Sequence, residues 1–460
     1  MQKTIKNSVS VSGVGIHTGV ATNMTLKPAE ANTGIKFIRT DLSERTVIKA
    51  AVDNVFSTER STGLKNEKVE INTVEHILAA VVGAEIDNLI IEVDNIEIPI
   101  LDGSSKKFTE LIKQAGTIEL NAKKNFFEIK RKITFTDKES GTILTATPAS
   151  EYAVEVKIDY NSEILGIQNA AISSIKEFNS EISSSRTFCF LHELEILLAN
   201  NLIKGGDVNN AIVIVEEEIS EERLHKLANT FNKSDIRAGR GGVLNNLKLR
   251  HENEPARHKL LDVIGDLALV GKPIKGKITA FKPGHKSNIE FAKQLNKIME
   301  ENMSKIAPKI SFDEAPLYDR EKIKTILPHR EPFLFIDEIR ELGENYIIGT
   351  KFVTADEDYF KGHFPEEAVM PGVLQLETMA QAGGVLILST VDNPENYLTF
   401  FMKIDNAKFK KKVVPGDTII FRLNLISPIR RGLCHMHGKG FVDGKIVVEG
   451  DLLAQIMPKK

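Results

Sequence analysis

The sequence predicts an α+β protein: two layered α+β subdomains, then a third α+β unit in which a curved sheet wraps a single helix. Three observations carry this. Strand-type alternation followed by a helix-type run occurs twice before Glu300. A polar stretch with two prolines and no clean periodicity, Ser304–Leu317, then interrupts the pattern. Beyond it, one long apolar run lies among many strand-type segments. The expected divisions are 1–122 and 123–303 for the two subdomains, 304–317 for a linker and 318–460 for the last unit. The 460 residues suffice for roughly three domains of about 150 residues each.

Hydrophobic residues make up 42% and charged residues 27% of the chain, an ordinary soluble composition. The net charge of −3 provides no global field that would draw nucleic acid. Cys189 and Cys434 are the only cysteines, which excludes a disulfide framework and a Cys-rich zinc module. The N-terminus, MQKTIKNSVSV, has no apolar signal core. The most apolar run, Val369–Val391, opens with Pro371 and Gly372 and is interrupted by Gln375, Glu377 and Gln381. It reads as a buried helix, not a membrane span. A cytoplasmic enzyme is the expectation.

In chain order, Lys3–Ile38 alternates and carries turn glycines, as in SVSGVGIHTG, the pattern of strands joined by tight turns. His17 lies there between Gly15 and Gly19, where backbone can approach a ligand closely. Thr73 is placed to cap a helix from Val74 to about Val82, ended by Gly83, and Asn88–Val93 reads as a buried strand. Glu75 and His76 fall in the first turn of that helix, an acid suited to general-base work beside a possible metal ligand. From Asn125 the pattern restarts. FFEIKRKITFTD and GTILTATPA form a hairpin, EYAVEVKIDY is a further strand, and SSSRTFCFLHELEILLANNLIKGG is a loop and then a helix ending at Gly205. Val215–Asn253 is polar and partly Gly-rich, an insert bordering a site.

The chain is organised around RHKLLDVIGD, Arg257–Asp266. His258 and Asp262 are four residues apart, so a helix sets them on one face, with Leu260, Leu261, Val263 and Ile264 available for packing. A neutral imidazole and a carboxylate on one rigid face are two of the three protein ligands a catalytic zinc site takes. An isolated pair of this kind is usually an ordinary surface pair, so a third ligand and a base are required. GKITAFKPG is the next strand, His285 after Gly284 is a loop residue able to give or take a proton, and Ile289–Met303 is a helix.

The ordered blocks GVGIHTG, TVEHILAA, DNLIIEVDN with IPILDGSS, SRTFCF, RHKLLDVIGDL and GHKSN resemble the zinc-dependent deacetylase of lipid A biosynthesis over about Met1–Met303. That family removes acetate from UDP-3-O-acyl-N-acetylglucosamine. The resemblance implies His76, His258 and Asp262 as metal ligands and Glu75 as general base. It implies His285 as the group that stabilises the oxyanion and protonates the leaving amine, oriented by Asp266. It also implies a Thr187 hydroxyl on the carbonyl oxygen and Lys259 as a substrate contact; Phe188, at the start of the matching insert, and His17, in its glycine turn, are read as further substrate-binding candidates. The segment Phe188–Ile214 matches the insert that forms an apolar passage for the acyl chain. Two histidines and one carboxylate suit Zn²⁺ and also Fe²⁺.

In the second half, Glu377 lies on an apolar helix, where an unpaired charge is costly, so it is either paired or functional, and the functional reading is favoured. His363 sits in a G-H-F-P turn, and Gly372 starts the helix, where backbone N–H groups can hold a carbonyl oxygen. GHFP with PGVLQLE resembles the hot-dog-fold 3-hydroxyacyl-[acyl-carrier-protein] dehydratase, over about Tyr318–Lys460. By that resemblance His363 removes the α-proton, Glu377 reaches in from a partner subunit to help expel the hydroxyl, and Gly372 polarises the thioester. Relatives that also isomerise the double bond carry Asp at the place of Glu377, which argues against isomerisation. A homo-oligomer through the hot-dog unit follows. The basic run AKFKKK, Ala407–Lys412, with Arg430 and Arg431, suits docking of an acidic acyl carrier protein, or is a solvated edge. His435 and His437 alternate as strand residues and are not read as ligands. The alternatives for this half are a hot-dog thioesterase or a non-catalytic acyl-carrier docking module; for the first half, a structural metal site in a sugar-nucleotide-binding protein.

Overall fold

The computed structural model describes every residue except 67–68, 200–203, 207–209, 218, 231–235, 238–241, 245–247, 304–305 and 460. The chain divides into two compact units, Met1–Ile298 and Met299–Lys460.

The first unit contains the same topology twice. One sheet runs in the order Val9–Val14, Ala21–Pro28, Leu89–Val93, Ile35–Arg39, Val47–Lys49. The other runs Ile133–Asp137, Thr142–Thr147, Ile274–Phe281, Tyr152–Ile158, Gln168–Ile172, with Phe127–Glu128 pairing alongside. In each sheet the last strand in sequence lies at the centre, parallel to one neighbour and antiparallel to the other. A helix precedes each central strand: α1 (Glu75–Gly83) in the first layer and α2 (Glu254–Leu267) in the second. A parallel pair needs such a crossover, and the central strand LIIEV buries Leu89, Ile91 and Val93 on one face while Ile90 and Glu92 on the other stay partly exposed.

Helices α1 and α2 pack on each other between the layers. Leu260, Leu261, Val263 and Ile264 are fully buried, and each contributes about 1.5–3 kcal/mol by leaving water. Gly265 sets the approach, because a side chain there would run into the main chain of Glu75. Pro255 occupies the first turn of α2, where its missing N–H is harmless. Helix α3 (His285–Met303) closes the unit. His285 is therefore the first residue of a helix and not part of a loop as expected. The Ser287 hydroxyl accepts from Gly284 N–H (3.1 Å) and the Asn288 N–H donates to Gly284 O (2.8 Å), starting the helix early.

Thr73 is not the cap of α1. Val74 holds that position, and Thr73, with φ +63°, turns its hydroxyl onto the buried Glu97 carboxylate instead. In the region expected as loop and helix, Phe188–Phe190 forms a short strand parallel to Ile212–Ile214, and the helix is Leu191–Ala199. The expected helix end at Gly205 and much of the polar insert fall partly on residues outside those described.

The second unit is a six-stranded antiparallel sheet around one helix, α4 (Gly372–Leu388). Its strand order is Glu338–Leu342, Tyr346–Phe352, Thr418–Leu425, Leu433–Val442, Lys445–Pro458, Tyr397–Phe409. This is the hot-dog architecture. Leu376, Met379, Ala382, Val385 and Leu386 of α4 bury against Phe421, Leu423, Met436 and Leu452 of the sheet. The edge strand Tyr397–Phe409 differs from the rest, leaving Phe400, Phe401, Met402 and Phe409 exposed. His435 and His437 lie on the strand Leu433–Val442, and His437 Nδ1 bonds Asp451 Oδ1 at 2.6 Å.

Candidate active sites

The start of α1 meets one face of α2 between the two layers. There the ligand atoms of His76, His258 and Asp262 all lie within 4.8 Å of one another, and all three residues are buried. His258 Nε2 is 3.4 Å and His76 Nε2 4.0 Å from Asp262 Oδ1. Asp262 Oδ1 is buried with no hydrogen-bond partner, and so is His76 Nδ1. His258 Nδ1 is oriented by the Ser185 carbonyl at 3.1 Å, the usual outer contact of a ligating imidazole. Burial pushes His76 down to about 3 and lowers His258 also, which keeps both rings neutral with free lone pairs. Asp262 is held well below the usual carboxylate range. Burial opposes this, and the neighbouring positive groups outweigh it, Lys259 among them with its Nζ 2.9 Å from Oδ2. Two neutral imidazoles and an ionised carboxylate with an unsatisfied oxygen fit a divalent cation. Among the described residues no other His, Cys, Asp or Glu group converges this way.

Two proton-handling groups flank that point. Glu75 is buried at the start of α1, and burial raises its carboxyl to about 7, against the pull of His285. His285 is raised to about 9: burial opposes the charged ring, and Asp266 outweighs burial through a 2.9 Å contact to Nδ1. Asp266 is fully buried and also accepts from Asn288 Nδ2 at 2.9 Å.

Thr62 joins these groups. Its N–H donates to Glu75 Oε2 (3.0 Å) and its hydroxyl to Asp266 Oδ1 (2.6 Å). Sequence reasoning missed it, because a threonine in the run RSTG carries no spacing signal.

The site opens into a cavity of about 430 Å³ lined by His17, Glu75, His76, Thr187, Phe188, His258, Lys259, Asp262 and His285. Asp266 sits behind His285, outside the lining. Arg60, Tyr160 and Ile196, which the sequence did not flag, also line it. Tyr160 meets Phe188 edge-on, with ring centroids 5.6 Å apart, and Lys259 Nζ lies 5.8 Å from the Phe188 ring centre. Phe190, Leu194 and Val213 extend the wall with apolar surface.

In the second unit, His363 Nδ1 is fixed by the Val369 carbonyl at 2.8 Å. Glu377 is half-buried and paired, one of the two outcomes its place on an apolar helix allowed. Gln381 Nε2 donates to it at 2.9 Å, and His329 Nε2 lies 3.5 Å away. His329 is a second residue the sequence reading passed over; burial lowers its proton affinity. Glu377 lines a cavity of about 210 Å³ with His329, Phe333, Phe400 and Phe401, and neither His363 nor Gly372 is among the lining residues. Within one chain, the two expected catalytic groups of this unit do not share a pocket. Gly372 starts α4, and a side chain there would collide with the Phe409 ring.

The sequence matches the family LpxC, UDP-3-O-acyl N-acetylglycosamine deacetylase, over residues 2–233 and 229–297, and the FabA-like domain over residues 327–451. It is 47% identical over 460 residues to the bifunctional enzyme LpxC/FabZ of Bacteroides thetaiotaomicron, covering 100% of this chain and 99% of that one. To the protein of the same name from Porphyromonas gingivalis it is 44% identical over 459 residues, with the same coverage. To the UDP-3-O-acyl-N-acetylglucosamine deacetylase of Pseudomonas entomophila it is 38% identical over 297 residues, covering 64% of this chain and 89% of that one. No helix among the described residues is long and apolar enough to cross a membrane.

Proposed function

Because the chain belongs to the bifunctional LpxC/FabZ family, and is thus a deacetylase of lipid A biosynthesis fused to a FabZ-like dehydratase, we propose the following reactions and residue roles. The first unit hydrolyses the acetamide of UDP-3-O-acyl-N-acetylglucosamine to acetate and the free amine. The second dehydrates (3R)-3-hydroxyacyl-[acyl-carrier-protein] to the trans-2-enoyl thioester. The divisions 1–122, 123–303, 304–317 and 318–460 and a cytoplasmic location belong to the same proposal.

His76, His258 and Asp262 hold the cation, zinc or ferrous iron. When bound, it supplies Lewis acidity, making water more acidic and polarising the amide carbonyl. Glu75 takes the proton of the attacking water at its carboxylate, and Thr62 N–H fixes that carboxylate in place. Oxygen adds to the carbonyl carbon, and the Thr187 hydroxyl donates to the carbonyl oxygen as it gathers charge. The C–N bond breaks with its electron pair on nitrogen, which receives a proton from His285. Asp266 supports the charged form of that ring. Lys259, Phe188 and His17 bind substrate, and the apolar wall around Phe190 and Val213 takes the acyl chain. The observation that carries this reading is the convergence of three metal-type ligands beside a carboxyl raised to about 7 and an imidazole raised to about 9.

In the second unit His363 removes the C2 proton, Gly372 N–H polarises the thioester carbonyl, and Glu377 of the partner subunit protonates the departing hydroxyl. The exposed apolar face of Tyr397–Phe409 supports a homo-oligomer, since an edge strand with Phe400, Phe401 and Met402 in water is a pairing hazard unless covered. Lys408 and Lys410 pair with Glu449, and Lys412 with Glu367, so part of the basic run is already neutralised. The rest would steer an acidic carrier protein.

The test is acetate release from UDP-3-O-acyl-N-acetylglucosamine by the full chain, with and without a chelator, alongside metal analysis. Chelation is expected to abolish acetate release and spare dehydration. Acetate release indifferent to metal removal would overturn the hydrolytic reading. Free acid in place of enoyl product would favour the thioesterase alternative for the second unit.

A further inference from the structure

We propose that Glu97 is a positioning residue for the deacetylase: it staples the His17 loop to the start of α1 and so sets one wall of the substrate cavity. The inference rests on the reading of that cavity given above.

Glu97 is fully buried, just beyond the central strand Leu89–Val93. No cation pairs with it among the described residues. Its carboxylate instead accepts four hydrogen bonds from two separate segments. Oε1 accepts from His17 N–H (3.0 Å) and the Thr73 hydroxyl (2.9 Å). Oε2 accepts from Thr18 N–H (2.9 Å) and the Thr18 hydroxyl (2.7 Å). The first segment is the turn Gly15–Val20, closed by Gly15 N–H to Val20 O (3.0 Å), and it contributes Ile16 and His17 to the cavity. The second runs straight into Glu75 and His76.

Backbone fit supports the same role. A side chain at Gly15 would overlap the Glu97 carboxylate, so the turn is shaped to admit it. Thr73 adopts a left-handed conformation that costs a non-glycine residue of order 1–3 kcal/mol, and it presents its hydroxyl to Glu97 where a helix cap would otherwise form. The segment bearing Glu97 is tied to Asn72 as well, by Asn72 N–H to Ile96 O (2.9 Å) and Ile98 N–H to Asn72 O (3.1 Å). A buried acid with four protein donors and no contact with the cavity acts through what it holds. It holds the His17 main chain to the helix that carries the base.

Glu97→Gln keeps the volume and exchanges one acceptor oxygen for a donor NH₂, so the amide opposes the donors of Thr18 or His17. Helices α1 and α2 remain packed through Gly265, so Glu75 and the ligand set stay together. The expected result is a rise in KM for UDP-3-O-acyl-N-acetylglucosamine of about tenfold, the size of one charge-assisted hydrogen bond lost from the wall, with kcat little changed. His17→Ala is expected to raise KM similarly, and the double variant to show no further rise, because both act through one element. Dehydration by the same full chain reports that the protein is produced, and retained metal content together with an unchanged kcat for acetate release reports that the first unit is folded.

If Glu97→Gln does not fold, Thr18→Val removes a single donor and tests the same direction with a smaller rise. An unchanged KM, or additive effects in the double variant, would overturn the inference. Wild-type acetate release is measured first; its absence would fault the functional reading, whereas a faulty staple appears only in the ratio of variant to wild type.

Discussion

Thr62→Val isolates the link between the proposed base and acid. Valine nearly matches threonine in shape and keeps the main-chain N–H on Glu75 Oε2, but loses the hydroxyl that Asp266 Oδ1 accepts at 2.6 Å. Asp266 is fully buried, and its other oxygen is already shared by His285 Nδ1 and Asn288 Nδ2. The lost bond is therefore one to a charged, buried acceptor with little chance of a replacement partner. Such bonds are worth about 1.5–3 kcal/mol, or roughly one to two decades if the loss falls entirely on the transition state. Because Asp266 orients His285, most of the loss is expected in kcat for acetate release, with a modest fall in the melting temperature of the first unit. Thr62→Ser, which restores the hydroxyl, should recover most of kcat. Steady-state kinetics on the three proteins decide the matter. A Thr62→Val kcat within twofold of wild type would refute the claim that Asp266 depends on this contact.

Glu75→Gln should reduce acetate release by about 10²–10⁴ while leaving metal content unchanged, because the ligand set His76, His258 and Asp262 is untouched; loss of metal in this variant would argue that Glu75 is a ligand. Glu254 carries a pH prediction. Burial raises its carboxyl, but Arg186 and the N–H groups of Arg186 and Arg250 outweigh burial and hold it below the usual range. A depressed folded value contributes stability that is present above the unfolded value and lost as pH falls through the folded one. Glu254→Gln should therefore flatten the acid limb of the first unit's melting temperature against pH, and an unaltered limb would contradict it. In the second unit, His363→Ala and Glu377→Gln should each abolish dehydration and spare acetate release. Co-expressed together they should regain about a quarter of wild-type dehydration if each site draws its two groups from different subunits of a two-fold dimer; no recovery would place both groups in one chain.

Local signals in the sequence located what local spacing determines. His258 and Asp262 were readable as a pair because one helical turn fixes their common face, and the apolar residues around them showed that α2 would be buried. The antiparallel hairpin and the strand Tyr152–Ile158 followed from alternation. Contacts made across the chain were not readable. Thr73 has the right chemistry for a cap, but a buried carboxylate 24 residues on claims its hydroxyl. Thr62, Glu97 and His329 belong to no spaced motif, and each acquires its role only when folding brings its partners to it from elsewhere in the chain. That Glu377 would be paired or functional was readable from its apolar helix, but its partners, a glutamine one turn ahead and a histidine far earlier in the chain, were not.

The distance in sequence between His76 and His258 has a structural cause in the duplicated layers. Each layer carries a helix that feeds its central strand, and the two helices occupy corresponding places in two copies of one topology. Each layer alone would leave the apolar face of its helix in water. Packing the two helices on each other buries both faces and necessarily brings residues of the first copy against residues of the second. The proposed ligand set, divided between the copies, comes together only when the layers are docked, so metal binding at this site should stabilise the docked first unit as a whole. Gly265 is the point where this can be tested without touching a ligand, since a side chain there would push against the main chain of Glu75. Gly265→Ala should weaken metal retention and acetate release together, and a variant with full metal content and activity would show that the two helices tolerate separation.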